Sequence, residues 1–93
     1  MVLLDRKHFK VKLLRFRRGG RLSLQTHQLR REMWLFLCGS GIVTKGTKKT
    51  MASNGQVMII PRRIKHSYAA ERVTWVLEVQ YGDKCTEEDI VRV

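Results

Sequence analysis

The sequence is poor in the residues that define several classes of protein. It has two cysteines, Cys38 and Cys85, and a single proline, Pro61. Two cysteines are too few for a disulfide scaffold, so we expect reduced thiols and a cytoplasmic protein. The longest apolar run, residues 33–38, is far shorter than the ~20 residues of a membrane-spanning helix. The N-terminus also lacks the basic segment and apolar stretch of a signal peptide, so no membrane association is expected.

The length of the chain limits its organisation. A chain of 93 residues can build one modest hydrophobic core, which predicts a single domain over residues 1–93. This length excludes a two-domain enzyme that carries its own nucleotide-binding half. The composition, with 43% hydrophobic and 29% charged residues, is typical of a globular domain and argues against a disordered chain.

Acidic residues are scarce and unevenly placed. The chain has 19 lysines and arginines against 8 aspartates and glutamates, which gives a net charge of +11. This balance favours phosphorylated or polyanionic partners and makes nucleic acid a possible partner, although a solvated basic surface alone would give the same balance. Glu32 is the only carboxylate between residues 6 and 70. Its isolation in a basic stretch indicates a specific role for this side chain.

Short alternating segments separated by glycine turns dominate the sequence. Residues 21–25 and 73–81 alternate between polar and apolar side chains with the period of two that is typical of β-strands. Residues 57–60 form a further strand-like run that ends at Pro61. No segment has sustained helical spacing, and residues 28–33 could form at most one short helical turn. The pattern predicts an all-β sandwich or barrel.

Aromatic and aliphatic side chains on these segments are the expected core. The apolar run at residues 33–38 predicts a strand that is buried on both faces, with Cys38 as a small buried side chain. Because a domain this small has exposed sheet edges that gain from pairing, a homodimer is also expected. The predicted core comprises Leu22, Leu24, Trp34, Phe36, Val73 and Trp75.

Four residues with metal-ligating side chains stand out. They supply an amide oxygen, two imidazoles and a carboxylate, a set that can bind a divalent first-row metal. Gln25 and His27 lie two apart on a predicted strand, which places them on one face, opposite Leu22 and Leu24. The pattern alone does not decide whether that face points inward. The four residues are Gln25, His27, Glu32 and His66.

The spacing of these residues resembles the two sequence motifs of the cupin superfamily. The first motif begins with a glycine, five residues and His-x-His, and continues with three or four residues, a glutamate, six residues and a glycine. It is similar to residues 19–39, with Gln25 at the position of the first histidine. The second motif is similar to residues 55–66, with Gly55, Pro61 and His66 in register. More narrowly, Gly-Gly-Arg-Leu-Ser-Leu-Gln-x-His and Arg-x-Glu-x-Trp at residues 19–34 resemble the C-terminal cupin domain of type II phosphomannose isomerases.

The resemblance implies an all-β jelly-roll barrel, the double-stranded β-helix of cupins, with a bound divalent metal, most simply zinc. It implies that Gln25, His27, Glu32 and His66 are the metal ligands. The implied activity is an aldose–ketose isomerisation of mannose 6-phosphate, a small phosphorylated sugar. Three cations are the candidates for catalysis and substrate binding: Arg30 and Lys12 as catalytic residues, and Arg30 and Lys65 as phosphate ligands.

The sequence departs from the family pattern at several positions, and no general base can be named. Arg63 replaces the glycine of a Pro-x-Gly turn, a glycine that a positive φ can require. Ala70 replaces a frequent asparagine, and the Asp-x-Tyr-Gly-Arg segment that often follows is missing after Val93. These departures favour the alternatives to catalysis, namely a non-catalytic cupin that binds metal and sugar, or a basic cupin that binds nucleic acid.

Overall fold

Every regular element of the described chain is a β-strand. The computed structural model describes residues 1–27, 29–83, 85 and 91–92, and within these ranges no helix is long and apolar enough to cross a membrane. The all-β prediction is confirmed. Residues 30–33, where a helical turn was possible, instead begin a strand. The strands are β1 Val2–Asp5, β2 Phe9–Phe16, β3 Arg21–Thr26, β4 Arg30–Cys38, β5 Ser40–Lys45, β6 Lys48–Ser53, β7 Val57–Ile60, β8 His66–Ala70, β9 Thr74–Gly82 and β10 Val91–Arg92.

The strands form two antiparallel five-stranded sheets. Sheet A has the order β1-β2-β9-β4-β7, and sheet B has the order β10-β3-β8-β5-β6. Strands that are distant in sequence pair with each other in both sheets, as β2 does with β9 and β3 with β8. The inner faces of the two sheets therefore enclose a common interior, which holds the apolar core and a cluster of polar side chains.

The apolar core fills this interior with aromatic side chains. Phe36 and Tyr68 lie with ring centroids 5.4 Å apart, and Phe16 meets Tyr68 edge-on at 5.1 Å. Of the predicted core residues, Trp34 and Phe36 are buried and Leu22 packs against the buried cluster, whereas Leu24 is half-buried and does not belong to it. The buried core cluster comprises Trp34, Phe36, Val43, Ala52, Ile60, Tyr68, Ala70 and Val76.

The predicted burial of both faces of β4 is wrong. From Arg30 to Phe36 its even-numbered residues point inward, whereas Leu37 is 48% exposed and Cys38, which follows a register shift, is exposed. The physical reason is that an antiparallel sheet in a two-layer fold packs only one face on the core. An apolar run in such a strand therefore leaves apolar side chains on the outer face.

The inward face of β9 is also the opposite of the predicted one. Val73 precedes the strand and is 43% exposed, and Trp75 lies half-buried on the outer face with the Arg15 guanidinium 5.9 Å from its ring centroid. Both were predicted in the core. The side chains that point inward are instead Thr74, Val76, Glu78 and Gln80, which alternate with the half-buried outer residues.

A β-bulge in β3 decides where its ligand-type residues point. Leu22 pairs with the buried Tyr68 and Gln25 pairs with the buried His66, and the register shifts between them. Because a bulge inserts one extra residue, both Leu22 and Gln25 can face the interior although they are three residues apart. Uninterrupted alternation would have placed them on opposite faces.

The turn between β4 and β5 requires a glycine. Gly39 has φ +103°, and a Cβ there would lie 2.6 Å from the Thr74 Cα. Gly39→Ala is expected to lower the free energy of unfolding by about 3 kcal/mol, from positive-φ strain and overpacking together. Gly55→Ala is the control, because Gly55 also has a positive φ but a Cβ added there would meet no atom within 4 Å. The control substitution should lower the free energy of unfolding, measured with urea, by only ~1–2 kcal/mol. Equal losses for the two variants would contradict this account of Gly39.

Candidate metal centre

Three buried side chains with metal-ligating atoms converge at one end of the interior. His27 immediately follows β3, Glu32 points inward from β4, and His66 is the first residue of β8. Their ligand atoms all lie within 4.8 Å of one another. The exposed fractions of the three residues are 3%, 2% and 1%. Two sheets thus bring together residues that are up to 39 positions apart in the sequence.

The distances within this triad are short enough for a shared ion. His27 Nε2 lies 2.9 Å from Glu32 Oε2, and His66 Nε2 lies 3.8 Å from Glu32 Oε1. The two imidazole centroids are 5.1 Å apart. Ligands ~2.0–2.2 Å from one zinc ion in a tetrahedral site lie within about 4 Å of each other. The geometry therefore fits one ion after small side-chain adjustments.

His66 is held in the form that binds metals. Its Nδ1 bonds to the carbonyl oxygen of Ile64 at 3.1 Å, which makes Nδ1 the proton-bearing nitrogen. Burial lowers the pKa of His66, so the imidazole is neutral and Nε2 carries a lone pair. That Nε2 is buried and has no hydrogen-bond partner. A buried nitrogen lone pair that receives no hydrogen bond and faces a carboxylate is unfavourable unless a cation lies between the two groups.

Glu32 is ionised and surrounded by donors. Burial by itself raises its pKa, but the hydrogen bond from His27 and the positive charges of the two imidazoles in their protonated form and of Arg30 outweigh it and lower the pKa to about 2. Its Oε1 also accepts a hydrogen bond of 3.0 Å from Trp34 Nε1. The carboxylate is therefore fixed on the side of the cluster where a cation would need a negative ligand.

Arg30 lies inside the cluster rather than at its rim. Its Nε and one terminal nitrogen lie 3.2 and 3.1 Å from Glu32 Oε2, and that terminal nitrogen is 3.3 Å from His27 Nε2. Only 3% of the residue is exposed. In this arrangement the guanidinium neutralises Glu32 and gives an incoming phosphate little surface to approach.

Gln25 is the fourth residue of the predicted ligand set. It pairs directly with His66 across β3 and β8, so their side chains point to the same face. Gln25 is 4% exposed, and its amide nitrogen donates to the carbonyl oxygen of Ser23 at 3.1 Å. The amide oxygen is the atom that could act as a ligand.

The two lysines predicted to act on the substrate lie in different environments. Lys12 is half-buried on the inner face of β2, opposite Glu78. Lys65 is exposed and precedes β8. A third lysine, Lys45, pairs with His66 across β5 and β8 and donates from Nζ to the carbonyl oxygen of Ile59 at 3.1 Å. Sequence reasoning missed Lys45 because the pairing of β5 with β8 is not visible in the sequence.

Sequence reasoning also missed a second buried carboxylate, Glu78. It accepts a hydrogen bond of 2.6 Å from Gln80 Nε2 on the same inner face of β9. Burial and the nearby charge of Glu32 raise the pKa of Glu78 to about 7. Gln80 pairs with Glu32 across β9 and β4, and its Oε1 is buried without a hydrogen-bond partner. The available signal was the polar pair at positions 78 and 80, which has the same spacing as Gln25 and His27.

The turn after β7 is hydrogen-bonded to the backbone of His27. Arg63 has φ +64° and is the one described non-glycine residue with positive φ. Its backbone nitrogen donates to the carbonyl oxygen of His27 at 2.8 Å. The left-handed conformation expected for the replaced glycine is therefore present, and an arginine adopts it at a cost in strain.

Arg63→Gly should relieve this strain. We expect the free energy of unfolding to rise by roughly 0.5–1 kcal/mol, since relief of ~1–2 kcal/mol is partly offset by the greater unfolded-state entropy of glycine. Arg63→Ala removes the same side chain but keeps the strain, so its stability should stay close to that of the wild type. Urea unfolding of the three proteins makes the comparison. A glycine variant no more stable than the alanine variant would be inconsistent with strain at this turn.

Comparison with known proteins identifies the family. The model of the family described as "Mannose-6-phosphate isomerase C-terminal" matches residues 1–93. The chain belongs to this family. It is 34% identical to a mannose-1-phosphate guanylyltransferase of Klebsiella pneumoniae over 94 residues, which cover 99% of this chain and 20% of that protein. It is also 34% identical to the alginate biosynthesis protein AlgA of Pseudomonas aeruginosa, over 91% of this chain and 18% of that protein. This member of the family thus spans about a fifth of the length of these relatives.

Solved structures with the same fold include a cupin. A Klebsiella pneumoniae protein with a double-stranded β-helix domain matches with a TM-score of 0.87 and 14% identity, over 99% of this chain and 80% of that one. A cupin superfamily protein of Desulfitobacterium hafniense matches with a TM-score of 0.83 and 20% identity, over 89% and 75% of the two chains. The cupin-type double-stranded β-helix is therefore confirmed for this family member.

Proposed function

We propose that this cupin binds one divalent metal ion, most simply zinc, through His27, Glu32, His66 and the amide oxygen of Gln25, and interconverts an aldose and a ketose sugar phosphate. The observation that carries the proposal is the buried, unpartnered Nε2 of His66 facing the carboxylate of Glu32. Two imidazoles, a carboxylate and an amide oxygen suit zinc and other first-row divalent ions. The family description, "Mannose-6-phosphate isomerase C-terminal", supports mannose 6-phosphate as the substrate.

The reaction moves one proton from C2 to C1 of the sugar and the hydroxyl proton from O2 to O1, through an enediol. When bound, the metal would supply Lewis-acid polarisation of the sugar's carbonyl and hydroxyl oxygens. Glu78 is the candidate base that removes the C2 proton and returns it to C1, because it is the second carboxylate of the inner polar cluster and lies one strand from Glu32. Gln80 holds the Glu78 carboxylate in place through its 2.6 Å hydrogen bond.

The cations around this cluster have separate proposed roles. Lys12 faces Glu78 across β2 and β9 and offsets negative charge that develops beside it. Lys65, which is exposed next to His66, is the candidate for binding the substrate phosphate from outside. Arg30 holds Glu32 and His27 in position, since its guanidinium contacts both side chains. We therefore assign Arg30 a positioning role in place of the predicted phosphate contact.

A second candidate function is a non-catalytic cupin that binds metal and a sugar. The observation that favours it is the burial of the cluster, since Arg30 and all three triad residues are at most 3% exposed. A sugar phosphate could reach the triad only if the surrounding side chains moved. A nucleic-acid partner also remains an expectation from the net charge of +11.

A coupled assay separates these functions. Protein purified with zinc is supplied with mannose 6-phosphate, and the formation of fructose 6-phosphate is followed with and without a chelator. Turnover that disappears with the chelator and returns with zinc supports the isomerase. Metal-loaded, folded protein without turnover leaves the non-catalytic cupin as the function. Retention on a nucleic-acid column at physiological salt would favour the basic cupin that binds nucleic acid.

The cytoplasmic location predicted from the free cysteines is tested by fractionating cells that produce the natural protein.

A further inference from the structure

Lys45 connects the two sheets beside the metal-ligating triad. It is the last residue of β5 in sheet B, and its Nζ donates to the carbonyl oxygen of Ile59 at 3.1 Å. Ile59 lies on β7, the edge strand of sheet A, next to the buried Ile60, which pairs with Glu32. The Lys45 side chain therefore crosses from one sheet to the other close to the strand that carries Glu32.

The side chain of Lys45 leaves β5 on its inner face. Lys45 pairs with His66 across β5 and β8, and residues that pair across antiparallel strands project to the same side of the sheet. His66 is buried in the interior, and so is Val43, two residues before Lys45 on the same strand. The Cβ atoms of such a cross-strand pair lie ~4.5–5.5 Å apart. Lys45 is half-buried and its hydrogen bond to Ile59 is exposed, so the ammonium group lies between the triad and solvent.

Lys48 continues this row to the edge of sheet B. It pairs with Lys45 across β5 and β6, so its side chain also starts on the inner side, and it is exposed. The turn between the two lysines is fixed, because the Gly46 backbone nitrogen donates to the carbonyl oxygen of Lys65 at 2.7 Å. From the proposed metal ligands outward to solvent, the row across β3, β8, β5 and β6 consists of Gln25, His66, Lys45 and Lys48.

The positive charge of these two lysines is not offset by any carboxylate of the described chain. Within residues 1–27, 29–83, 85 and 91–92, neither Lys45 nor Lys48 forms an ion pair. The strands β3, β5, β6 and β8 contain no aspartate or glutamate. The ammonium group of Lys45 has three donors and contacts a neutral carbonyl oxygen. A phosphate oxygen is a stronger acceptor for such a donor, because its negative charge strengthens the hydrogen bond.

We propose that Lys45, with Lys48 beside it, binds the phosphate group of a sugar phosphate whose other end lies at the triad, an inference that rests on the function proposed above. In a six-carbon sugar 6-phosphate, C1 and C2 are at the opposite end of the molecule from the phosphate. A sugar that brings C1 and C2 to the triad therefore directs its phosphate along the row toward solvent. Lys45 contacts this phosphate from the inner side, whereas Lys65 is exposed on the outside.

Phosphate binding also moves a side chain that closes the interior. When the Lys45 ammonium group exchanges the carbonyl oxygen of Ile59 for a phosphate oxygen, its link between sheet B and sheet A is released. That carbonyl oxygen belongs to an edge strand and its hydrogen bond is exposed, so water replaces the lysine as donor at little cost. Anion binding and opening of the gap between β5 and β7 are therefore one event.

Titration of the zinc-loaded wild type with mannitol 6-phosphate and with mannitol tests the proposal. Both compounds lack the carbonyl group of an aldose or ketose, so neither is turned over, and only one carries a phosphate. By calorimetry, the wild type should bind mannitol 6-phosphate at least about 10-fold more tightly than mannitol, since hydrogen bonds between charged groups are strong. Lys45→Met should lose most of this preference. Lys49→Met should keep it, because Lys49 follows Lys48 on β6 and projects to the outer side.

Two further variants separate the charge of Lys45 from its link between the sheets. Lys45→Arg keeps the charge and should restore the preference for the phosphate. Lys45→Gln keeps a donor for the carbonyl oxygen of Ile59 but not the charge, and should bind as weakly as Lys45→Met. Circular dichroism checks that each variant is folded. A Lys45→Gln variant that binds mannitol 6-phosphate like the wild type would show that Lys45 only links the sheets, and would overturn the proposal.

Failure of this phosphate site is distinguishable from failure of the isomerase. Equal affinity of the wild type for mannitol 6-phosphate and mannitol, or an unchanged preference in Lys45→Met, would overturn the phosphate site whether or not mannose 6-phosphate is turned over. A preference that depends on Lys45 in a protein without turnover supports the phosphate site and counts against the isomerase. In an active protein, Lys45→Met should raise KM at least about 10-fold and leave kcat nearly unchanged, because the phosphate contact is the same in the ground state and the transition state.

Discussion

Glu32→Gln is expected to abolish tight metal binding. The substitution keeps the shape of the side chain and its acceptor oxygen for Trp34 Nε1, but removes the negative charge between His27 and His66. Loss of a residue that only supports a ligand commonly costs 10–100-fold in metal affinity, so loss of the charged ligand should cost at least about 100-fold. Titration of chelator-treated protein with zinc, followed by elemental analysis, measures the effect.

The structure adds a second consequence of the same substitution. A fold left largely intact was the expectation from the sequence, but Glu32 forms an ion pair with the buried Arg30. Breaking a buried ion pair by removing one partner costs on the order of 3–5 kcal/mol. The metal-free variant should therefore unfold at a clearly lower urea concentration than the wild type.

The double variant Arg30→Met/Glu32→Gln separates the two effects. It removes both charges together, so the stability of the metal-free protein should recover most of the loss. Zinc binding should remain as weak as in Glu32→Gln, because the anionic ligand is still missing. If the double variant bound zinc as tightly as the wild type, Glu32 would be a structural partner of Arg30 and not a ligand.

Glu78→Gln should lower kcat for isomerisation by about 10²–10⁴-fold if Glu78 is the base. The amide keeps the volume and can still contact Gln80 Nε2 through its oxygen, but it cannot accept the substrate proton. The zinc content should stay that of the wild type. Glu71→Gln is the matched control, since Glu71 is an exposed carboxylate. Unchanged kcat in Glu78→Gln would exclude Glu78 as the base.

The same pair of variants has a readout that does not depend on activity. The pKa of Glu78 is raised to about 7 from its ordinary 4.5, so the folded metal-free protein loses stability as the pH rises between these values. Glu78→Gln should not lose stability in this way, because its amide does not titrate. The melting temperature of the chelator-treated variant should therefore exceed that of the wild type at pH 8 and nearly equal it at pH 5. Glu71→Gln should follow the wild type at both values.

Local patterns in the sequence were sufficient to locate four of the strands, β3, β4, β7 and β9. The apolar run that ends at Pro61 predicts β7, and the structure has it at Val57–Ile60. Alternation also locates β9, but alternation of period two does not specify which face points inward. The apolar face of β9 was expected inside, whereas Glu78 and Gln80 point inward and Trp75 does not. The reason is that the interior is polar at one end, so polar side chains of β9 can lie inside while apolar ones lie on the outer face.

The residues of the candidate site are brought together by tertiary structure, which local sequence patterns do not show. The motif spacing placed His27, Glu32 and His66 in one set, and the structure brings these three together. Gln25 faces inward because of a bulge, which the sequence does not reveal. Arg30 and Glu32 are two apart on a strand, so their shared face was predictable, but the burial of their ion pair was not. Burial depends on the opposite sheet.

Zinc titration of the chelator-treated wild type tests the central claim most directly. The account predicts that one zinc ion binds per chain, and that the urea midpoint of unfolding rises with zinc concentration because the ion binds only the folded triad. The same titration of His66→Ala, which removes the unpartnered Nε2, should give neither result. A wild-type protein that binds no zinc or other first-row divalent ion, or a His66→Ala variant that binds it equally well, would contradict the account.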